Sequence, residues 1–146
     1  IYLYVVIYNS TYHNDETFEL INDLVGQPFS WLKRFKLGGV GSKRMIINTC
    51  SPKFSFIQNK TEDINYGNIE LRPKGIVVYI NKGLETFAWP IPYYKLVVYK
   101  TEGLSLHANG SFVKFKSNKT FKENKSFINK LLDQKIDFQT NFIAIT

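Results

Sequence analysis

A chain of 146 residues has the length of one domain, and with 44% hydrophobic and 16% aromatic residues it can fill a core without a disulfide or structural metal. Its single cysteine, Cys50, excludes an internal disulfide framework of the small secreted type. The formal charge of +7 is unevenly placed: residues 1–32 hold four acids and no Lys or Arg, residues 33–44 five cations, and residues 114–146 seven lysines against three acids. That asymmetry suits an anionic partner, although a solvated lysine-rich surface is the plainer reading.

The opening run Ile1–Tyr8 is apolar, aromatic and β-branched, which fits a buried strand. It lacks a basic leader region and is too short to cross a bilayer as a helix; the chain starts without Met, so a segment upstream of Ile1 stays open. Asn14 or Asp15 caps an expected helix ending at Gly26, with Phe18, Ile21, Leu24 and Val25 on one face. Pro28 suits the first turn of a second short helix that places Phe29, Leu32 and Phe35 on one side and ends at Gly38-Gly39. Arg44–Asn48 and Phe54–Ile57 read as short strands, and residues 58–68 as mostly loop.

From Ile69 to Lys135 the pattern is clearest. Ile69–Arg72, Ile76–Ile80, Phe87–Trp89, Leu96–Tyr99, Leu104–Ala108 and Phe112–Lys116 read as strands, with Pro90 and Pro92 ending the third because neither can donate to a ladder. Pro73-Lys74-Gly75 and Asn81-Lys82-Gly83 are hairpin-like turns, and Asn109-Gly110 is the strongest hairpin signal in the chain. Thr120–Glu123 reads as a capping box opening a final helix, whose stripe of Phe121, Phe127, Ile128, Leu131 and Leu132 must be buried against the meander. Ile136–Thr146 alternates, as an edge strand or a free tail would.

The runs Gly75–Tyr79, Trp89–Leu96 (WPIPYYKL) and Phe112–Phe115, followed by a helix, resemble a pleckstrin-homology-like domain of the bacterial or GRAM type over residues 69–135. The resemblance implies a bent barrel with a closing helix, and a binding module rather than an enzyme. Residues 1–44 are not part of the plain family pattern.

Trp31-Leu32-Lys33-Arg34-Phe35-Lys36 is the best interaction candidate, since rings and cations on a short helix suit an anionic membrane surface. The competing reading, which is preferred, packs Trp31 and Phe35 on the sheet and leaves the cations to reach water. Gly38–Lys43 lacks the phosphate-loop spacing and precedes a strand, so it reads as a plain loop. His13, His107 and Cys50 show no zinc or nucleophile spacing, and Glu62, Asp63, Glu70 and Glu85 show no organised pairing. Phe112, Lys114, Phe115, Lys116 and Lys119 interleave rings with cations as single-stranded nucleic-acid platforms do, but on a strand the lysines form merely the solvent side.

The sequence therefore leads to one α+β domain: a mostly antiparallel, twisted sheet or partly open barrel closed by a C-terminal amphipathic helix, with one or two N-terminal helices. The expected role is a non-enzymatic binding module without a cofactor or metal, cytoplasmic or peripheral to a membrane. It would present Trp31, Lys33, Arg34, Lys36, Lys43 and Arg44 to an anionic lipid surface or acidic protein. Single-stranded nucleic-acid binding is the alternative, and a small enzyme built around Cys50 or a histidine the second.

Overall fold

The computed structural model of the chain describes residues 7–54 and 65–145, with side chains through Asn141. In chain order come β1 (Tyr8–Asn9), α1 (Asp15–Val25), α2 (Trp31–Leu37), β2 (Met45–Cys50), β3 (Tyr66–Arg72), β4 (Gly75–Lys82) and β5 (Glu85–Pro92). Then follow β6 (Val97–Tyr99), β7 (Gly103–Ala108), β8 (Ser111–Lys116), α3 (Lys119–Glu123) and α4 (Lys125–Ile145). β2–β5 form one antiparallel meander and β6–β8 another. They are joined because β2 lies between β3 and β8, giving the order β1-β5-β4-β3-β2-β8-β7-β6. Among the described residues the sheet is not closed, with β1 and β6 at its edges; the α+β class and antiparallel pairing hold.

Turn chemistry explains the hairpins. Asn109 and Gly110 both take positive φ, 51° and 77°, in a two-residue turn between Ala108 and Ser111, where the expected signal lay. Gly83-Leu84 joins β4 to β5, and Pro73-Lys74 joins β3 to β4.

The continuous apolar run of β4 is explained by cover on both faces. Ile76, Val78 and Ile80 enter the main core with Met45, Phe54, Trp89, Leu104, Leu106 and Phe115. Val77 faces the other way, into a second cluster with Ile21, Val25 and Ala88 beneath α1. Each such aliphatic side chain contributes about 1.5–3 kcal/mol on full burial.

α1 is held to that second face by polar contacts too. Arg72, only 3% exposed, donates from Nε to Glu70 Oε1 at 3.0 Å and from Nη1 to Asn22 Oδ1 at 2.7 Å and the Gly26 carbonyl at 2.8 Å. The Tyr79 hydroxyl donates to the same Glu70 oxygen at 2.9 Å. Burial first, and then the charge of Glu70, push the Tyr79 hydroxyl up to about 12.

Several expectations are corrected. β5 runs through Pro90 and Pro92, which pair with Val77 and Gly75. Thr86 shows why: its amide and carbonyl both bond toward the β1 side, to Thr11 Oγ1 at 3.0 Å and the Ser10 N–H at 2.7 Å. Pro90 and Pro92 share that parity, so their nitrogens point away from β4 and withhold no donor from its ladder. The second helix begins at Trp31 rather than near Pro28, because Ser30 is its N-cap. The cap of the C-terminal helical region is Asn118, which accepts the Phe121 N–H at 3.2 Å, while Thr120 merely donates to Asn118.

The tail is helix through Ile145, neither strand nor free end. Phe138, seven residues after Leu131, lies on the core side and meets the Tyr93 ring at 5.7 Å. The stripe of Phe127, Ile128 and Leu131 is buried as expected, with Phe121 and Leu132 packed against it. Phe54 lies in a 3-10 turn (Pro52–Phe54), not a strand, and the rest of that expected strand lies outside the described residues. Tyr66–Asn68 belong to β3 rather than to a loop, whereas 58–64 lie outside the described residues. So does the first strand before Ile7.

Two predictions follow from these contacts. A Cβ on Gly75 would sit 2.3 Å from the Ile91 carbonyl oxygen, whereas one on Gly41 meets nothing within 4 Å. Gly75→Ala should cost about 2–3 kcal/mol by urea denaturation, and Gly41→Ala less than about 0.5 kcal/mol. The unfolded chain ionises tyrosine near pH 10.0, whereas folded Tyr79 keeps its proton to about 12. Its contribution to stability is thus intact below pH 10 and lost as pH rises toward 12. The urea midpoint should fall over that window, less steeply in Tyr79→Phe.

Candidate functional site

α2 is seven residues long and is specified at both ends. The Ser30 hydroxyl accepts the Lys33 N–H at 3.3 Å, and Gly38 takes the left-handed conformation that ends the helix, with the Gly39 N–H bonded to the Arg34 carbonyl at 2.8 Å. Two turns offer one side to the body of the protein. That side is taken by Leu37, with Phe29 just ahead of the helix; both pack on the main core.

The expectation that Trp31 and Phe35 pack on the sheet is therefore overturned. Trp31 is 81% exposed and Phe35, one turn later, 80%; Leu32 is 54% exposed, and no residue of α2 is buried. Leu32 and Phe35 do not share a packed side with Phe29, since the body-facing side already belongs to Leu37.

The six sequence-predicted residues do not all stay together. Trp31, Lys33, Arg34 and Lys36 lie on α2, all exposed, with Arg34 Nε donating to the Phe29 carbonyl at 2.9 Å. Lys43 and Arg44 lie on the segment entering β2 and are drawn elsewhere. Lys43 Nζ is 3.9 Å from Glu123 on α3, and the Arg44 guanidinium lies 5.2 Å from the Tyr66 ring centroid.

Asn124, between α3 and α4, brackets the Lys43 backbone. Its Oδ1 accepts the Lys43 N–H at 2.9 Å, and its Nδ2 donates to the Lys43 carbonyl at 3.2 Å and to Thr120 at 2.8 Å. Lys130 on α4 donates to the Gly38 and Gly39 carbonyls at 3.2 and 3.0 Å, capping the C-terminus of α2 with a cation. Of the C-terminal lysines, Lys130 thus reaches the 33–44 segment.

Gly38–Lys43 is followed by strand β2, and Gly41 pairs with Glu70, as a plain loop allows. Cys50 is buried, its thiol donating to the Phe54 carbonyl at 3.6 Å, and burial raises its pKa, which disfavours the thiolate. His107 lies between Tyr99 and Phe112, at ring distances of 4.9 and 5.4 Å, and desolvation lowers its pKa. His13 pairs at 2.7 Å with exposed Asp15 beside a recess under α1 that Ser10, Thr17, Arg72 and Tyr79 also line. Glu70 belongs to the Arg72 network, Glu85 opens β5, and Glu62 and Asp63 lie outside the described residues. On β8, Val113 and Phe115 are fully buried, with Lys114 and Lys116 on the other face.

The candidate motif already held Leu32 and Phe35, but the preferred reading packed Trp31 and Phe35 on the sheet; sequence reasoning missed Lys130 as the cation at the helix end. The caps at Ser30 and Gly38 signal a two-turn helix, but not which side it buries. Among the described residues no cluster of three or more His, Cys, Asp or Glu could hold a metal. Nor is any helix among them long and apolar enough to cross a membrane. No protein-family model, curated protein or solved structure matches the chain.

Because Lys130 holds the carbonyls of the two glycines that follow α2, Lys130→Ala should loosen that helix end without unfolding the sheet. Amide hydrogen exchange should quicken several-fold at Gly38 and Gly39, with protection in β3–β5 unchanged.

Proposed function

We propose that the chain is a non-enzymatic, pleckstrin-homology-like binding module that settles on an anionic membrane surface through α2. The observation that carries this reading is the exposure of Trp31, Leu32 and Phe35 on a helix that also carries Lys33, Arg34 and Lys36. At a bilayer interface the rings and Leu32 leave water for the headgroup boundary, while the cations meet lipid phosphates. Each cation near an anionic leaflet contributes roughly 1 kcal/mol, so attachment through one such helix is weak and reversible.

The fold-level part of the proposal is supported by connectivity: a four-strand meander (β2–β5) and a three-strand meander (β6–β8), with β2 beside β8, then a long helix seated on the core. The same cations would serve an acidic protein, but three exposed apolar side chains suit the lipid interface better. The nucleic-acid alternative has less support, because Phe112 already stacks on His107 and the alternate residues of β8 are buried. The buried thiol of Cys50 gives an enzyme reading little to build on.

Cosedimentation with vesicles rich in phosphatidylserine tests the proposal. The unmodified protein should pellet at low salt and be released as salt rises. Reversing Lys33, Arg34 and Lys36 to Glu should abolish pelleting. Trp31→Ala with Phe35→Ala should weaken it about tenfold or more, with the thermal midpoint nearly unchanged because these side chains are exposed. Failure of the unmodified protein to pellet at low salt would sink the membrane reading.

A further inference from the structure

A second basic feature is a recess to which α2 contributes no lining residue. It has a volume of about 330 Å³ and opens between the β6–β7 turn and the α3–α4 junction, lined by Lys100, Phe121, Lys122, Lys125, Ile128 and Asn129. Its three lysines come from three separate elements: the turn after β6, α3, and the first turn of α4. Ile128 is buried and Phe121 packs on the core, so the recess has an apolar floor fixed by the fold.

Its charge is uncompensated. Among the described residues no carboxylate lines the recess, and none of the three lysines has an ion-pair partner. The one acid of α3, Glu123, is turned to Lys43 instead. Three lysines lining one concavity give it a positive potential that favours an anion there.

We infer that this recess binds a phosphate monoester carrying an apolar group. A phosphate monoester brings close to two negative charges and three terminal oxygens, matching three ammonium groups and the Asn129 carboxamide donor. Lysine, as a compact point charge, is a common phosphate ligand. A carboxylate offers half the charge and one oxygen fewer. The floor of Phe121 and Ile128 receives the apolar part of the ester, and the volume falls at the small end of ligand sites. Such an ester is either a soluble metabolite or the headgroup of phosphatidic acid.

The test is a low-salt titration of the full chain with phenyl phosphate, inorganic phosphate and benzoate, followed by calorimetry and amide chemical shifts. Phenyl phosphate should bind most tightly and shift the amides of Lys100, Phe121 and Lys125. Lys122→Gln with Lys125→Gln should weaken it about tenfold or more, whereas Trp31→Ala with Phe35→Ala should leave it unchanged. That contrast separates this site from the α2 reading. The lysine variant should also melt no lower than the unmodified protein at low salt, and phenyl phosphate should raise the melting temperature of the unmodified protein alone.

Vesicles of phosphatidic acid, offered to the Trp31/Phe35 variant, distinguish the sources. Binding that Lys122→Gln and Lys125→Gln remove assigns the lipid headgroup, and binding of the soluble ester alone assigns the metabolite. Absence of both, or phenyl phosphate binding undiminished in the lysine variant, overturns the inference.

Discussion

The guanidinium of Arg72 is the fixed point on which the helical face of the sheet depends. It sits near the end of β3, almost wholly buried, and reaches both its own strand through Glu70 and the end of α1 through Asn22 and Gly26. A charge taken this far from water is tolerable only when its donors are used, and two of its nitrogens make three bonds to different parts of the chain. The Gly26 carbonyl is one of the acceptors that a helix leaves without an internal partner. Arg72 thus completes the end of α1 and orients it in one step. Val77 and Ala88 then find Ile21 and Val25 above them, and the doubly apolar run of β4 becomes an interior strand.

The other helices are fixed by similar means at the opposite end of the chain. Asn124 binds both backbone groups of Lys43, so the segment entering β2 is tied to the α3–α4 junction almost as if paired with a strand. Lys130 then holds the carbonyls at the end of α2. Between these ties the chain has little freedom to roll α2 over. Leu37 faces the body, and Trp31, Leu32 and Phe35 are left outside. Their exposure follows from constraints elsewhere in the fold, which makes it a property of the folded protein rather than of a loose helix.

How much of this the sequence revealed depended on the range of the interaction involved. The Asn109-Gly110 turn, a cap at Asn14 or Asp15 (Asn14 in the fold) and the apolar stripe of α4 rest on neighbours in sequence, and all were legible. Prolines 90 and 92 misled because their effect depends on which side of the strand their nitrogens face, a matter of register with β1 and β4. Residues 136–145 misled because Ile136 and Phe138 alternate locally, while the contact that decides is Phe138 with Tyr93, far back in the chain. For the candidate site the composition of 31–36 was visible at once, but its orientation was not. The determinants of orientation, Leu37 against the core and Lys130 at Gly38, are both tertiary.

The same logic explains how the positive charge acquires two distinct addresses. Two acids near the basic segments are paired with other cations: Glu70 with Arg72, and Glu123 with Lys43. What remains is a convex helix with rings beside its cations, and a concave recess with cations above an apolar floor. Both surfaces add to one long-range attraction for anions, because a field sums over all charges within a screening length. At contact they differ. A convex apolar helix gains by entering an interface too broad to be enclosed, whereas a recess gains by enclosing one group and excluding water around it. On the two proposed readings, shape rather than charge separates the anions, and α4 contributes to both surfaces, through Lys130 at the end of α2 and through Lys125 with Asn129 at the recess.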